Sequence, residues 1–127
     1  MKLVIGGYAQ GKLDYVLAKY HLPETAVWDG AWPDGGCPLD EAVVINHFHQ
    51  WVKRRMSEGG CPEKEVRLFL ETYGNCIIIS DEVGNGIVPI EPLEREYRER
   101  VGRILIDLAK EAEEVERVLC GIGQKIK

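Results

Sequence analysis

No apolar stretch in this chain approaches the ~18 consecutive residues that a membrane span requires. Its opening is not a secretion signal, because VIGG is too short an apolar core and Gly6 and Gly7 interrupt it at once. Cysteine occurs four times, at Cys37, Cys61, Cys76 and Cys120, yet no two of these form a C-x-x-C pair. Neither a zinc ribbon nor a thioredoxin-like site is therefore signalled. Reduced thiols in a cytoplasmic protein are expected, with Cys76 and Cys120 buried because they lie in apolar runs. A basic surplus is also missing. The formal net charge is -5, which weighs against nonspecific nucleic-acid binding through displaced counterions. KRR at 53–55 reads as the solvated face of a helix. There is no G-x-S-x-G elbow, and the Cys and His residues show no arrangement that favours nucleophilic catalysis. His47 and His49, at i,i+2 on a helix, would not share a face. They are read as polar surface or capping residues, and no metal site is expected.

What the chain does have is enough length for one good core in a single domain over residues 1–127, with 45% hydrophobic and 29% charged residues. KLVIGG is a short β-rich run that ends in glycines, as a buried first strand entering a turn would. KLDYVLAKYHL carries Leu13, Val16, Leu17 and Tyr20 at helical spacing, and Pro23 stops it. TAVWDG is a second short strand, AWPDGGCPLDE a loop and AVVIN a third strand. HFHQWVKRRM is a helix with Phe48, Trp51, Val52 and Met56 on one side, SEGGCPEK a loop, and EVRLFLETYG a helix ended by Gly74. NCIIIS is a continuous apolar run of the kind that parallel sheets bury on both faces. DEVGNGIVPIEP is a second Gly/Pro loop. A helix is predicted over 93–115, its stripe made by Leu93, Tyr97, Val101, Ile104, Leu105, Leu108, Ala112 and Val115. Glu94 with Arg98, and Glu99 with Arg103, add i,i+4 pairs in the favoured order. RVLCGI is a last strand and QKIK a polar tail. Strands alternating with helices predict a mainly parallel sheet with helices on both faces, whose ligands bind at the carboxyl ends of the strands.

Three loops leave strands at that end. The first holds GGYAQGKL. Gly6, Gly11 and Lys12 fit the phosphate-loop pattern G-x-x-x-x-G-K-[ST], with Leu13 where the pattern has a hydroxyl residue that holds magnesium. Backbone N–H groups of Gly6, Gly7, Tyr8, Ala9, Gln10 and Gly11 could point at one phosphate ahead of a helix N-terminus, with Lys12 adding a point charge. Phosphate-loop enzymes also carry an acid at the end of a neighbouring strand. AVVIN ends instead in Asn46, followed by His47, while Asp40 and Glu41 precede that strand at its wrong end. The third loop, SDEVGNGIVP, offers Asp81 and Glu82, then Val83, with Gly84 and Gly86 leaving the backbone free to approach a ligand.

The stretch SDEVGNGIVPIEPLEREYRERVGRILIDLAKEAEEVERVLCGIGQKIK resembles the carboxyl-terminal part of the adenosylcobinamide kinase/adenosylcobinamide-phosphate guanylyltransferase family of cobalamin (vitamin B12) biosynthesis. The matching positions are Glu82, Val83 and Gly84, then Gly86, Ile87, Val88 and Pro89, then Arg95, Tyr97, Arg98, Glu99, Gly102 and Arg103, and finally Gly121, Ile122 and Lys125. GGYAQGK resembles the family's amino-terminal G-G-x-x-S-G-K. The resemblance implies a P-loop NTPase-like (RecA-like) three-layer α/β/α sandwich and a homotrimer. It also implies phosphorylation of the corrinoid with ATP or GTP, then transfer of GMP from GTP through a guanylylated histidine between the second and third strands. Against that pattern the hydroxyl residue is Leu13 and the third-strand acid aligns with Asn46. The short segment between Trp28 and Ala42 contains no histidine, and the family's Asn-Gln pair in the long helix corresponds to Leu105 and Ile106. Loss of both protein ligands to magnesium would leave little kinase activity, and loss of the histidine no covalent guanylyl transfer. The expectation is a shortened, degenerate member that binds nucleotide or phosphate at residues 6–13, flanked by Glu82, Val83, Gly84 and Gly86. Two readings stand side by side. One is an enzyme using Lys12 and Glu82 or Asp81; the other is a noncatalytic partner or scaffold that holds a nucleotide, a corrinoid or another subunit.

Overall fold

A computed structural model describes residues 1–33, 42–83 and 90–127 of the chain. Its elements in order are β1 (Lys2–Gly6), α1 (Lys12–Tyr20), a 3₁₀ turn (Glu24–Ala26), β2 (Val27–Asp29), β3 (Val43–Asn46), α2 (Phe48–Ser57), α3 (Pro62–Thr72), β4 (Cys76–Asp81), α4 (Pro92–Glu111), β5 (Glu114–Leu119) and β6 (Ile122–Lys125). They build a six-stranded sheet in the order β2-β3-β4-β1-β5-β6. All neighbouring strands run parallel except β5 and β6, which are antiparallel.

Alternate residues of the central strands serve opposite faces, which is why their sequences read as unbroken apolar runs. Leu3, Val43, Ile45, Cys76, Ile78 and Val115 face one core, closed by Phe48, Trp51 and Val52 of α2, Val66 of α3 and Tyr97, Val101, Ile104 and Leu108 of α4. Val4, Val44, Ile77, Ile79 and Val118 face a smaller core under Val16 of α1, with Leu13 packed against it. Trp32 stacks flat on Phe69 at 4.8 Å and meets Trp51 edge-on, sealing the larger core beside α2 and α3. Each fully buried Leu, Ile or Val contributes about 1.5–3 kcal/mol, so this two-faced sheet supplies most of the hydrophobic stabilisation. The result is the P-loop NTPase-like α/β arrangement of three layers.

Several boundaries differ from the sequence expectation. α4 stops at Glu111, with Ala112 as its C-cap in extended backbone. Val115 belongs to β5 but buries into the same core, so the apolar spacing of three and four ran on across a chain reversal. Leu93, expected on the buried stripe, is 77% exposed. The strand expected over RVLCGI is β5, which starts at Glu114 and ends at Leu119; Cys120 and Gly121 then form the turn of a hairpin with φ of 51° and 75°. Two positive-φ residues match the right-handed twist of the strands they join. Cys120 is therefore exposed, not buried, and the first half of the expected polar tail, Gln124 and Lys125, belongs to β6. Cys76 is buried as expected, and burial pushes its thiol up to about 11. α3 begins earlier than expected, at Pro62, which suits the first turn because its missing N–H would have no partner there. Cys37, Asp40, Glu41, Gly84 and Gly86 lie outside the described residues.

Candidate functional site

The sheet order decides which side chains meet the glycine-rich loop. β4, and not β3, lies beside β1, with Gly6 opposite Asp81 in register. The acid at the end of the neighbouring strand is therefore Asp81. The sequence reading offered Asp81 at the end of this strand and set Asn46 against the family's third-strand acid; which of the two strands lies beside β1 has no local mark in a parallel sheet. Asn46 ends β3, one strand further out.

Gly6 is buried and packed so closely that a Cβ there would stand 2.6 Å from the Val118 carbonyl oxygen, which only glycine avoids. Beyond it the chain turns through Ala9 and Gly11, at φ of 55° and 82°, and enters α1 at Lys12. Among the described residues, the N–H groups of Tyr8, Ala9, Gln10 and Gly11 have no hydrogen-bond acceptor. The loop is held in place from outside. Gln10 accepts from the hairpin turn twice, through its carbonyl from Gly121 N–H at 2.8 Å and through Oε1 from Cys120 N–H at 2.7 Å. Glu82 N–H donates to the Gly6 carbonyl at 2.9 Å.

Lys12 is buried at 7% exposure. Its ammonium donates to the Gly7 carbonyl at 2.7 Å and pairs with Asp81 Oδ1, also at 2.7 Å. Asp81 Oδ2 lies 3.4 Å from His49 Nε2, and the Asp81 backbone N–H donates to His49 Nδ1 at 3.1 Å. That second bond leaves the proton of the neutral ring on Nε2. Burial holds the His49 pKa below its ordinary value, against the raising effect of Asp81. Glu82, expected at the site, turns to β5 and pairs with Arg117 at 2.9 Å.

His47 does not lie on the helix. It caps α2 in the left-handed region, φ 53° and ψ 46°, and its ring comes within 5.8 Å of the His49 ring. The two histidines thus meet, contrary to the expectation from helical spacing. His47 Nδ1 lies 2.5 Å from Asp29 Oδ1 at the end of β2, and Asn46 Nδ2 donates to the same oxygen at 3.0 Å. This Asp29, Asn46 and His47 cluster was missed by the sequence reading. Its signal was only that β2 and β3 both end in polar residues. A cleft of about 350 Å³ is lined by residues 8–14 of the loop and α1, by Asn46 and His47, and by Ile79, Ser80 and Asp81.

Magnesium, which the resemblance brings with it, does not fit this donor set. The ion needs an octahedral shell of oxygens. Leu13 offers none and packs against the α1 core, while one Asp81 oxygen is bound to Lys12 and the other faces His49. Among the described residues there is no group of three or more His, Cys, Asp or Glu side chains able to hold a metal. No helix among them is long and apolar enough to cross a membrane.

The sequence model of cobinamide kinase / cobinamide phosphate guanyltransferase matches residues 38–126. That match covers β3 to β6 and begins after the glycine-rich loop. The chain is 38% identical over 86 residues to the bifunctional adenosylcobalamin biosynthesis protein CobU of Salmonella typhimurium, covering 65% of this chain and 46% of that protein. It is 47% identical over 67 residues to the protein of the same name from Escherichia coli, covering 50% of this chain and 37% of that one. The matched stretch thus spans less than half the length of either relative. With the family model matching well over half of its residues, the chain belongs to the cobinamide kinase / cobinamide phosphate guanyltransferase family.

Proposed function

We propose that the chain is a degenerate family member of cobalamin biosynthesis that binds the phosphates of GTP or ATP at residues 6–13 with weak or no catalysis. The observation that carries this reading is the loop itself. Its N–H groups at residues 8–11 are without acceptors among the described residues, it stands at the N-terminus of α1, and it is clamped through Gln10 and Gly6. Such a cradle presents partial positive charge without rearrangement. The low catalytic power follows from Leu13, from the committed oxygens of Asp81 and from the absence of histidine between Trp28 and Ala42. The corrinoid and a homo-oligomeric, cytoplasmic state belong to the same proposal. Exposed Ile90 and Leu93 near the start of α4, and Leu119, Ile122 and Ile126 on the terminal hairpin, offer apolar surface for self-association.

One observation favours a second reading, phosphoryl transfer to cobinamide. Asp81 places a carboxylate at the end of the strand next to β1, opposite Gly6 and against Lys12. Calorimetric titration of GTP and ATP, with magnesium or with a chelator, separates the two. Binding that persists in chelator and disappears in Lys12→Ala supports the first reading. Binding that requires magnesium, with phosphorylation of cobinamide, supports the second, and no binding of either nucleotide overturns both.

A further inference from the structure

The cleft has a second polar wall that the phosphate loop leaves unused. Two strand spacings, about 10 Å, separate β1 from β3, because β4 lies between them. A group held by the loop and a group held at the end of β3 therefore belong to different parts of a ligand, or to two ligands. At the end of β3 stands His47, lining the cleft and tied to Asp29 through Nδ1. A carboxylate oxygen accepts only, so Nδ1 carries the proton and donates it. In the neutral ring Nε2 is then the acceptor. It has no partner among the described residues. Asn46 steadies the same Asp29 oxygen, and the left-handed backbone of His47 turns its ring off the α2 axis toward β2. Orientation by a carboxylate behind the ring is the arrangement that readies an imidazole to accept a proton or a hydrogen bond in front. While the ring is neutral, an acceptor placed there repels phosphate oxygens and attracts a donor.

We propose that His47, oriented by Asp29, is the cleft's contact for a hydroxyl group of the bound ligand, on the part remote from the phosphate. This inference rests on the phosphate-loop reading above. The hydroxyl comes either from the ribose of a nucleotide or from an alcohol-bearing acceptor.

The test uses the full chain and four probes: tripolyphosphate, GTP, 2′,3′-dideoxy-GTP and cobinamide. His47→Gly removes the ring at a backbone position that glycine adopts freely, and Asp29→Asn loosens the ring while leaving it in place. Both variants are expected to weaken GTP or cobinamide by about five-fold, the worth of one hydrogen bond, and to leave tripolyphosphate unchanged. If GTP is weakened and dideoxy-GTP is not, the ribose supplies the hydroxyl; if only cobinamide is weakened, the alcohol does. In the wild type, the ¹⁵N resonance of His47 Nε2 should shift on saturation with the sensitive probe. Unchanged affinity for both GTP and cobinamide in His47→Gly, with Lys12→Ala still losing tripolyphosphate, overturns this inference and leaves the phosphate loop standing. Equal weakening of tripolyphosphate also overturns it, since His47 would then contact phosphate. Failure of the wild type to bind tripolyphosphate or GTP overturns both.

Discussion

At the scale of single residues, Lys12, Asp81 and His49 form a linked and largely buried cluster beside the glycine-rich loop. The Lys12 charge is buried and satisfied by one carboxylate and one carbonyl, so deleting it strands Asp81, itself mostly buried. Lys12→Ala should lower unfolding stability by about 3 kcal/mol, as breaking a buried pair does, in urea melts at neutral pH. An unchanged midpoint would mean that water screens the pair. His49 gives a pH signature. Its folded pKa lies below the ordinary value, so the unfolded chain takes up the proton first as pH falls. Its contribution is fully present above about pH 6.5 and is lost as pH drops from there toward the lowered folded value. Melting temperature should therefore decline on acidification through that window, and His49→Phe should flatten the slope. Because Phe leaves the Asp81 N–H unpaired, that variant should also be less stable at pH 7 by about 1–3 kcal/mol. A wild-type slope that survives in His49→Phe would contradict the assignment.

Among the elements, α4 is what ties the functional edge to the rest of the helical layer. Tyr97 Oη donates to the His49 carbonyl at 3.0 Å, and Lys53 of α2 pairs with Glu94 at 2.7 Å. Arg100 grips Glu63 of α3 through two bonds of 2.8 and 2.7 Å. That fork holds the Glu63 carboxyl down at about 2. Its stabilisation is present above the unfolded value near 4.5 and is lost as pH falls toward about 2. Glu63→Gln should lower stability modestly at pH 7, since the glutamate is partly exposed, and the deficit should vanish as pH falls toward about 2, which flattens the acid limb of the stability curve. An acid limb identical to wild type would show that the fork is loose in solution.

These elements also show how far local pattern reaches. The runs of β1 and β4, the stripes of α2 and α3, and the turn into α1 carry their own periodicity and punctuation, and the structure places them as expected. The far end of α4 does not. Val115 continues the helical spacing although the chain has already reversed at Ala112. β6 has a mostly polar sequence and is a strand only because β5 offers it an edge. Cys120 at φ 51° occupies a turn position that Asn or Gly would have announced. The partnership of Lys12 with Asp81 depends on which strands are neighbours, and that of His47 with Asp29 on two chain segments meeting at a sheet end. Neither contact leaves a trace in spacing along the sequence.

For the whole molecule, the sheet brings three strand ends into one cleft and sets the glycine-rich loop and the His47 cluster on separate walls of it. The terminal hairpin, far away in sequence, braces the loop through Gln10. The family match covers the sheet from β3 onward, so membership rests on the carboxyl-terminal part and the phosphate reading on the geometry of the amino-terminal loop. The most direct test of that reading is a backbone ¹H–¹⁵N titration of the full chain with GTP in the presence of a chelator. The account predicts that the amide resonances of residues 8–12 move first and furthest and that Lys12→Ala abolishes the movement. Shifts centred on another surface, or none at millimolar GTP, would contradict it.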